Sequence, residues 1–232
     1  MIEPRPLVAL IHAVPSGARI AQQAFAGDFP EARVWNILDD RLLDDARDVG
    51  GLDDALRRRM LRLICHVMET GVQGLLLTCS SYGEVVDTAR SLWNVPILKS
   101  DEAMFKDALA AQYDRIAVVA STPPAVPAAV AQLHALVPVL REGRPVEITT
   151  ALSEAAALAD TPEAVAGHLA DALRAGGESP QAVLLAQYSL TPARDALAEL
   201  LGLPVLDGAG AAARELRAQL LGTSATSEAA LS

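Results

Sequence analysis

The chain has 232 residues, 51% of them hydrophobic but only 3% aromatic, so its core must be built from alanine, valine, leucine and isoleucine. That length suits one large α/β domain or two half-size lobes sharing a core. A formal net charge of −10, with Lys99 and Lys106 the only lysines and the arginines dispersed over helical patterns, argues against nucleic acid and anionic membranes as partners.

The first residues, Met1-Ile2-Glu3-Pro4-Arg5-Pro6, lead straight into a strand-like run with no charged region, apolar stretch and cleavage site. No apolar run reaches membrane-spanning length, so a cytoplasmic location is expected. Strands are predicted at Leu7 to His12, Ala32 to Ile37, Gln73 to Thr78, Val95 to Leu98, Arg115 to Ala120, Val146 to Thr150, Ala182 to Ala186 and Pro204 to Leu206. Helical patterns lie between them. Thr122-Pro123, Thr161-Pro162 and Thr191-Pro192 each place a capping residue before a proline suited to the first helical position. Ser81 with Glu84 reads as a capping box, and Gly176-Gly177 closes the helix that Thr161 opens. From residue 222 the chain is small, polar and without period, which reads as a disordered tail.

Short apolar runs alternating with amphipathic stretches imply an α/β fold with parallel sheets covered on both faces. Residues 7 to about 98 and 115 to about 206 repeat the same order of elements. The expectation is two pseudo-symmetric Rossmann-like lobes, one of residues 1–98 with 207–221 and the other of 99–206. The active site would then lie in the cleft between them, at the carboxyl ends of the strands.

The loops after those strands hold the candidate residues. Cys79 follows the buried run Gly74-Leu75-Leu76-Leu77-Thr78 and precedes a helix start, where the dipole and unpaired backbone donors favour thiolate over thiol. His12 and Ser16 follow the first strand, Ser80 and Ser81 follow Cys79, Ser121 and Thr122 follow the fifth, and Gln187, Tyr188 and Ser189 follow the seventh. Hydroxyls, amides and backbone donors gathered at helix starts suit a carboxylate or another small anion.

Other candidates have plainer readings. Cys65 lies in an apolar helical pattern and reads as core, while His66, His134 and His168 sit in helices with no visible partner. No CxxC and no histidine at zinc spacing argue against a disulfide framework or structural zinc. Asp39-Asp40 and Asp44-Asp45 lack the alternating ligands and glycine of a calcium loop, so they read as caps and solvated charges, and no metal site is expected.

Several motifs together resemble the aspartate/glutamate/hydantoin racemase superfamily over about residues 6 to 221. They are the strand-end His12-Ala13-Val14-Pro15-Ser16, Asn36-Ile37-Leu38-Asp39-Asp40, Thr78-Cys79-Ser80-Ser81, Lys99-Ser100-Asp101-Glu102-Ala103-Met104 and Leu185-Ala186-Gln187-Tyr188-Ser189. The superfamily includes amino-acid and hydantoin racemases, maleate isomerase and arylmalonate decarboxylase. The resemblance implies an enzyme without cofactor or metal, acting next to a carboxylate or carbonyl, and a homodimer or higher homo-oligomer. In its racemases one cysteine from each lobe flanks the substrate. Cys79 matches the first, whereas Gln187 stands at the position of the second.

Glutamine cannot carry a proton on and off near neutral pH, so a two-thiol mechanism is not expected. Cys79 can add to an activated double bond for cis–trans isomerisation, or protonate an enolate formed by decarboxylation. It can also racemise, with His12 or Tyr188 serving the other face. The substrate class is a small carboxylic acid, with Cys79 catalytic and the remaining strand-end residues binding it. A carboxylate-binding protein that has lost catalysis is the alternative.

Overall fold

The computed structural model describes residues 5–177 and 179–229. By its internal contacts the chain divides into unit 1, Met1–Ser100 with Ala212–Ser232, and unit 2, Asp101–Ala211.

Unit 1 begins with β1 (Leu7–His12), α1 (Pro15–Asp28), β2 (Arg33–Leu38), α2 (Leu42–Asp48) and α3 (Asp54–Met68). It continues through β3 (Gly74–Leu77), a 3₁₀ turn at Ser80–Tyr82, α4 (Gly83–Arg90) and β4 (Ile97–Lys99). Its sheet is parallel, in the order β2-β1-β3-β4. Unit 2 runs α5 (Glu102–Ala110), β5 (Arg115–Ala120), α6 (Ala125–Leu140), β6 (Glu147–Leu152), α7 (Glu154–Ala157) and α8 (Pro162–Ala175). Then come β7 (Ala182–Leu185), a 3₁₀ segment at Tyr188–Ala193, α9 (Arg194–Leu201), β8 (Val205–Asp207) and the start of α10 (Gly208–Ala229), which from Ala212 onward belongs to unit 1. The second sheet, β6-β5-β7-β8, repeats the first strand for strand and is also parallel. The internal duplication read from the sequence is therefore real at the level of topology.

Side-chain alternation explains why the strands read as unbroken apolar runs. In β5, Ile116, Val118 and Ala120 pack with Met104, Phe105, Leu109 and Leu133 of α5 and α6. Their neighbours Ala117 and Val119 pack on the opposite face with Ala166, Leu169 and Leu197 of α8 and α9. Successive residues point to opposite faces, so a strand covered on both sides must be apolar throughout. In unit 1 the same logic sets Ala9, Ile11, Leu75 and Leu77 against Leu56, Met60, Ile64 and Val67, a helical stripe of α3. That helix starts where Asp53 accepts the Leu56 N–H at 2.8 Å. At the start of β3 a Cβ on Gly74 would meet Leu216 and Leu220 of α10 at 3.2 and 3.3 Å, so α10 lies close over the strand at that point.

The helix starts only partly follow the sequence reading. Thr161 caps α8 as expected, its hydroxyl accepting Ala164 N–H at 3.2 Å, and the helix closes at Gly176-Gly177. By contrast α6 begins at Ala125 rather than after Thr122. Pro123 is itself followed by a proline, which disfavours helical backbone there. Thr191 falls inside the 3₁₀ segment and points its hydroxyl at Asp207 Oδ1, 3.3 Å away. The capping box of Ser81 and Glu84 is not made, because a 3₁₀ turn precedes α4 and Arg57 Nε donates to Glu84 at 2.5 Å. Helical backbone in α10 continues to Ala229, through most of the stretch that the sequence reads as a disordered tail. Extending a helix that is already nucleated needs only one further bond per residue. Residues 230–232 of that stretch lie outside the described residues. No helix among the described residues is long and apolar enough to cross a membrane.

Candidate functional site

Within unit 1 the chain leaves β3 at Leu77, passes Thr78 and reaches Cys79, which stands at the N-cap of the 3₁₀ turn in extended backbone (φ −114°, ψ 110°). Cys79 is half-buried, with one flank against the β3 core, while Ser80 and Ser81 are exposed. The turn is anchored by Tyr82, which is wholly buried and donates its hydroxyl to Leu42 O at 2.7 Å. Burial, with the nearby Cys79 adding to it, pushes the Tyr82 phenol up to about 12. A groove lined by Arg57, Arg58, Leu61, Glu84, Val85 and Thr88 lies beside α3 and α4 and does not include Cys79.

His12 closes β1 and is completely buried. Its Nε2 lies 3.0 Å from Asn36 Oδ1 and its Nδ1 lies 2.9 Å from Thr78 Oγ1. The amide oxygen only accepts, so Nε2 carries the proton and Nδ1 takes the Thr78 hydroxyl proton in the neutral ring. Ile11 O lies 3.2 Å from the same hydroxyl, a longer alternative for its one proton, and accepts the Thr78 N–H at 3.0 Å. Both ring nitrogens are thus engaged, and His12 fastens the residue before Cys79 rather than opening toward a ligand. Asn36 was not singled out as a site residue from sequence, although asparagine inside a strand is an unfavoured choice that signals a specific partner.

Burial holds His12 below its ordinary 6.5, against the opposing pull of the Asn36 bond. The unfolded chain then binds this proton first as pH falls, so His12 withdraws stability from about pH 6.5 downward. Urea unfolding between about pH 7.5 and pH 5.5 is expected to show that loss, and His12→Gln to flatten it. An unchanged slope in the variant would mean that His12 does not fold in its neutral form.

In unit 2 the corresponding loops hold Ser121 and Thr122 after β5, and Gln187, Tyr188 and Ser189 after β7. Gln187 Oε1 accepts from Ser121 N at 2.6 Å, Ser121 Oγ at 3.1 Å and Thr122 N at 3.2 Å. Of the donors expected to hold a carboxylate, Ser121 N, Ser121 Oγ and Thr122 N are thus satisfied by a neighbouring side chain of the same unit. Tyr188 is buried, and burial together with Asp101 and Asp207 raises its phenol well above its ordinary value. Both Ser189, after β7, and Ser16, in the first turn of α1, are exposed. Asp207 accepts from Gly210 N at 2.9 Å and from Arg194 Nη1 at 3.0 Å, which ties β8 to the start of α10.

Solved structures share this fold at low sequence identity. Allantoin racemase from Klebsiella pneumoniae is 19% identical with a TM-score of 0.66, the match covering 94% of this chain and 89% of that one. Glutamate racemase from Bacillus anthracis is 13% identical with a TM-score of 0.66, over 95% and 84% of the two chains. Arylmalonate decarboxylase is 18% identical with a TM-score of 0.62, over 91% and 92%. No curated protein matches the chain by sequence. A family model described as Asp/Glu/Hydantoin racemase matches residues 19–216, a span that holds both repeated sheets apart from β1 and includes Cys79 and Gln187. The chain belongs to the Asp/Glu/hydantoin racemase family.

Proposed function

We propose that the protein is a cytoplasmic, cofactor-independent enzyme, homodimeric or of higher order, that acts at the α-carbon or adjacent double bond of a small carboxylic acid through Cys79. The observation that carries this reading is Cys79 itself, half-exposed at the end of a buried strand with its preceding residue fastened by His12. Family membership supports an enzyme of this superfamily. The neighbouring racemases and the decarboxylase support an enzyme whose chemistry begins or ends at a carbon acid.

Two features favour a single-thiol route. His12 is buried with both nitrogens bonded, and Tyr188 keeps its proton well above neutral pH, so neither suits the role of second base. In an isomerisation the Cys79 thiolate adds to one carbon of a double bond, the carbon–carbon bond rotates as a single bond, and the thiolate leaves with the pair it brought. In a decarboxylation, carbon dioxide departs, leaving its electron pair on the α-carbon. The Cys79 thiol then protonates that carbon and recovers its proton from water. The Ser80 and Ser81 hydroxyls, which directly follow this thiol, are exposed, whereas that of Thr78 before it is engaged by His12.

Iodoacetamide alkylation read by peptide mass spectrometry tests the reading, with half-buried Cys65 of α3 as the internal control. Cys79 is expected to react well below the ordinary thiol pKa of about 8.5, and one member of a panel of small mono- and dicarboxylates should protect it. If Cys79 reacts no faster than Cys65 and nothing protects it, the enzyme reading fails. Protection without turnover favours a carboxylate-binding protein of the same family.

A further inference from the structure

Gln187 stands where a second thiol is expected, and its amide is not free to turn. Three donors converge on Oε1: Ser121 N at 2.6 Å, Ser121 Oγ at 3.1 Å and Thr122 N at 3.2 Å. Reversing the amide would set an NH₂ group against two backbone N–H groups, so its orientation is fixed by the surrounding bonds. The oxygen is therefore fully used within unit 2. Nε2 takes no part in these bonds. Buried side-chain polar atoms without a partner, among the described residues, are confined to Arg141, so the Nε2–H₂ group of half-buried Gln187 is reached by solvent.

An amide is normally ambivalent, able to meet an acceptor with one end and a donor with the other. Here only the donating end is left. We infer that Gln187 is a specificity-determining residue whose Nε2–H₂ group binds ligand oxygen atoms and disfavours an ammonium group at the same place. This inference rests on the carboxylic-acid reading above and narrows it to acids that carry no amino group where Gln187 reaches. A carboxylate, enolate or carbonyl oxygen accepts both N–H bonds. An ammonium would lose its water and meet donors instead.

The test uses two pairs of acids that differ by one ammonium group: succinate with aspartate, and malonate with aminomalonate. Binding is measured by calorimetry, and the Gln187 side-chain amide is followed by ¹⁵N NMR, its signal assigned by its loss in Gln187→Glu. The plain diacid of at least one pair is expected to bind about tenfold or more tightly than its amino counterpart, and its addition should move the Gln187 amide signal. In Gln187→Glu one carboxylate oxygen still accepts the three donors, so the thermal midpoint should hold. The other oxygen now accepts, and the preference should shrink or invert. Equal affinity within each pair, or a bound diacid that leaves the Gln187 amide signal unmoved, overturns the inference alone. No binding by any of the four overturns it together with the carboxylic-acid reading.

Discussion

Cys79→Ala is expected to abolish turnover of whichever acid protects the thiol, a loss of about 10³-fold or more, while leaving the fold intact. Every route open to this site needs sulfur either as the atom that adds to carbon or as the proton carrier, and a methyl group does neither. The structural cost should be small. Cys79 is only half-buried, its side chain caps no backbone group, and Tyr82 and Leu42 hold the following turn without it. A change within about 1 kcal/mol is expected for such a truncation. Cys79→Ser adds a sharper control, because a hydroxyl keeps the size and hydrogen bonding but titrates far above neutral pH. Steady-state turnover and urea unfolding of both variants decide the matter. Turnover near the wild-type rate in either one would remove Cys79 from the mechanism.

The second large effect concerns stability. Arg141, at the end of α6, is completely buried, and its Nη2 donates to Asp114 Oδ1 at 2.6 Å. Its Nε and Nη1 are buried without a hydrogen-bond partner. Asp114 is 69% exposed in its side chain, so most of the desolvation falls on the arginine. Removing the carboxylate by Asp114→Ala leaves a buried cation unpaired and is expected to cost about 2–3 kcal/mol, below the range of about 3–5 kcal/mol for fully buried pairs because Asp114 is itself exposed. Replacing the cation by Arg141→Met removes the charge and both unsatisfied donors together, so it is expected to be neutral or stabilising. Urea midpoints of the two variants separate these outcomes. Equal losses would mean that the guanidinium is held by more than its one counter-ion.

β3 and β7 were the most legible strands, because a parallel strand covered on both faces must be apolar at every position, whereas the edge strands β2 and β6 mix polar with apolar residues. All eight predicted runs became strands. Their ends moved by a residue or two where ladder partners decide. β6, for example, continues to Leu152 because that residue pairs with Ala120. Caps were legible only where they are local. Thr161 needs nothing beyond Ala164, whereas Thr191 turns to Asp207 and Glu84 is taken by Arg57, partners 16 and 27 residues away. The same limit applies at the candidate site. Cys79 announces itself by following an apolar run. That Gln187 occupies Ser121 and Thr122 depends on loops 66 and 65 residues apart, and the tie between His12 and Thr78 spans 66.

The closure of Gly74 by Leu216 and Leu220 bears on the order in which the protein is made. Residues 101–211 form one uninterrupted unit, whereas α10 from Ala212 onward belongs with the first hundred residues in unit 1. On the ribosome the first sheet therefore emerges early and lacks its α10 cover until residues 212–229 have been synthesised, by which time residues 101–211 have already emerged. Unit 1 is expected to finish folding after unit 2. The face of β3 at Gly74 stays uncovered throughout that interval, so deleting residues 212–229 should expose unit 1 to chaperones and proteases before it affects unit 2.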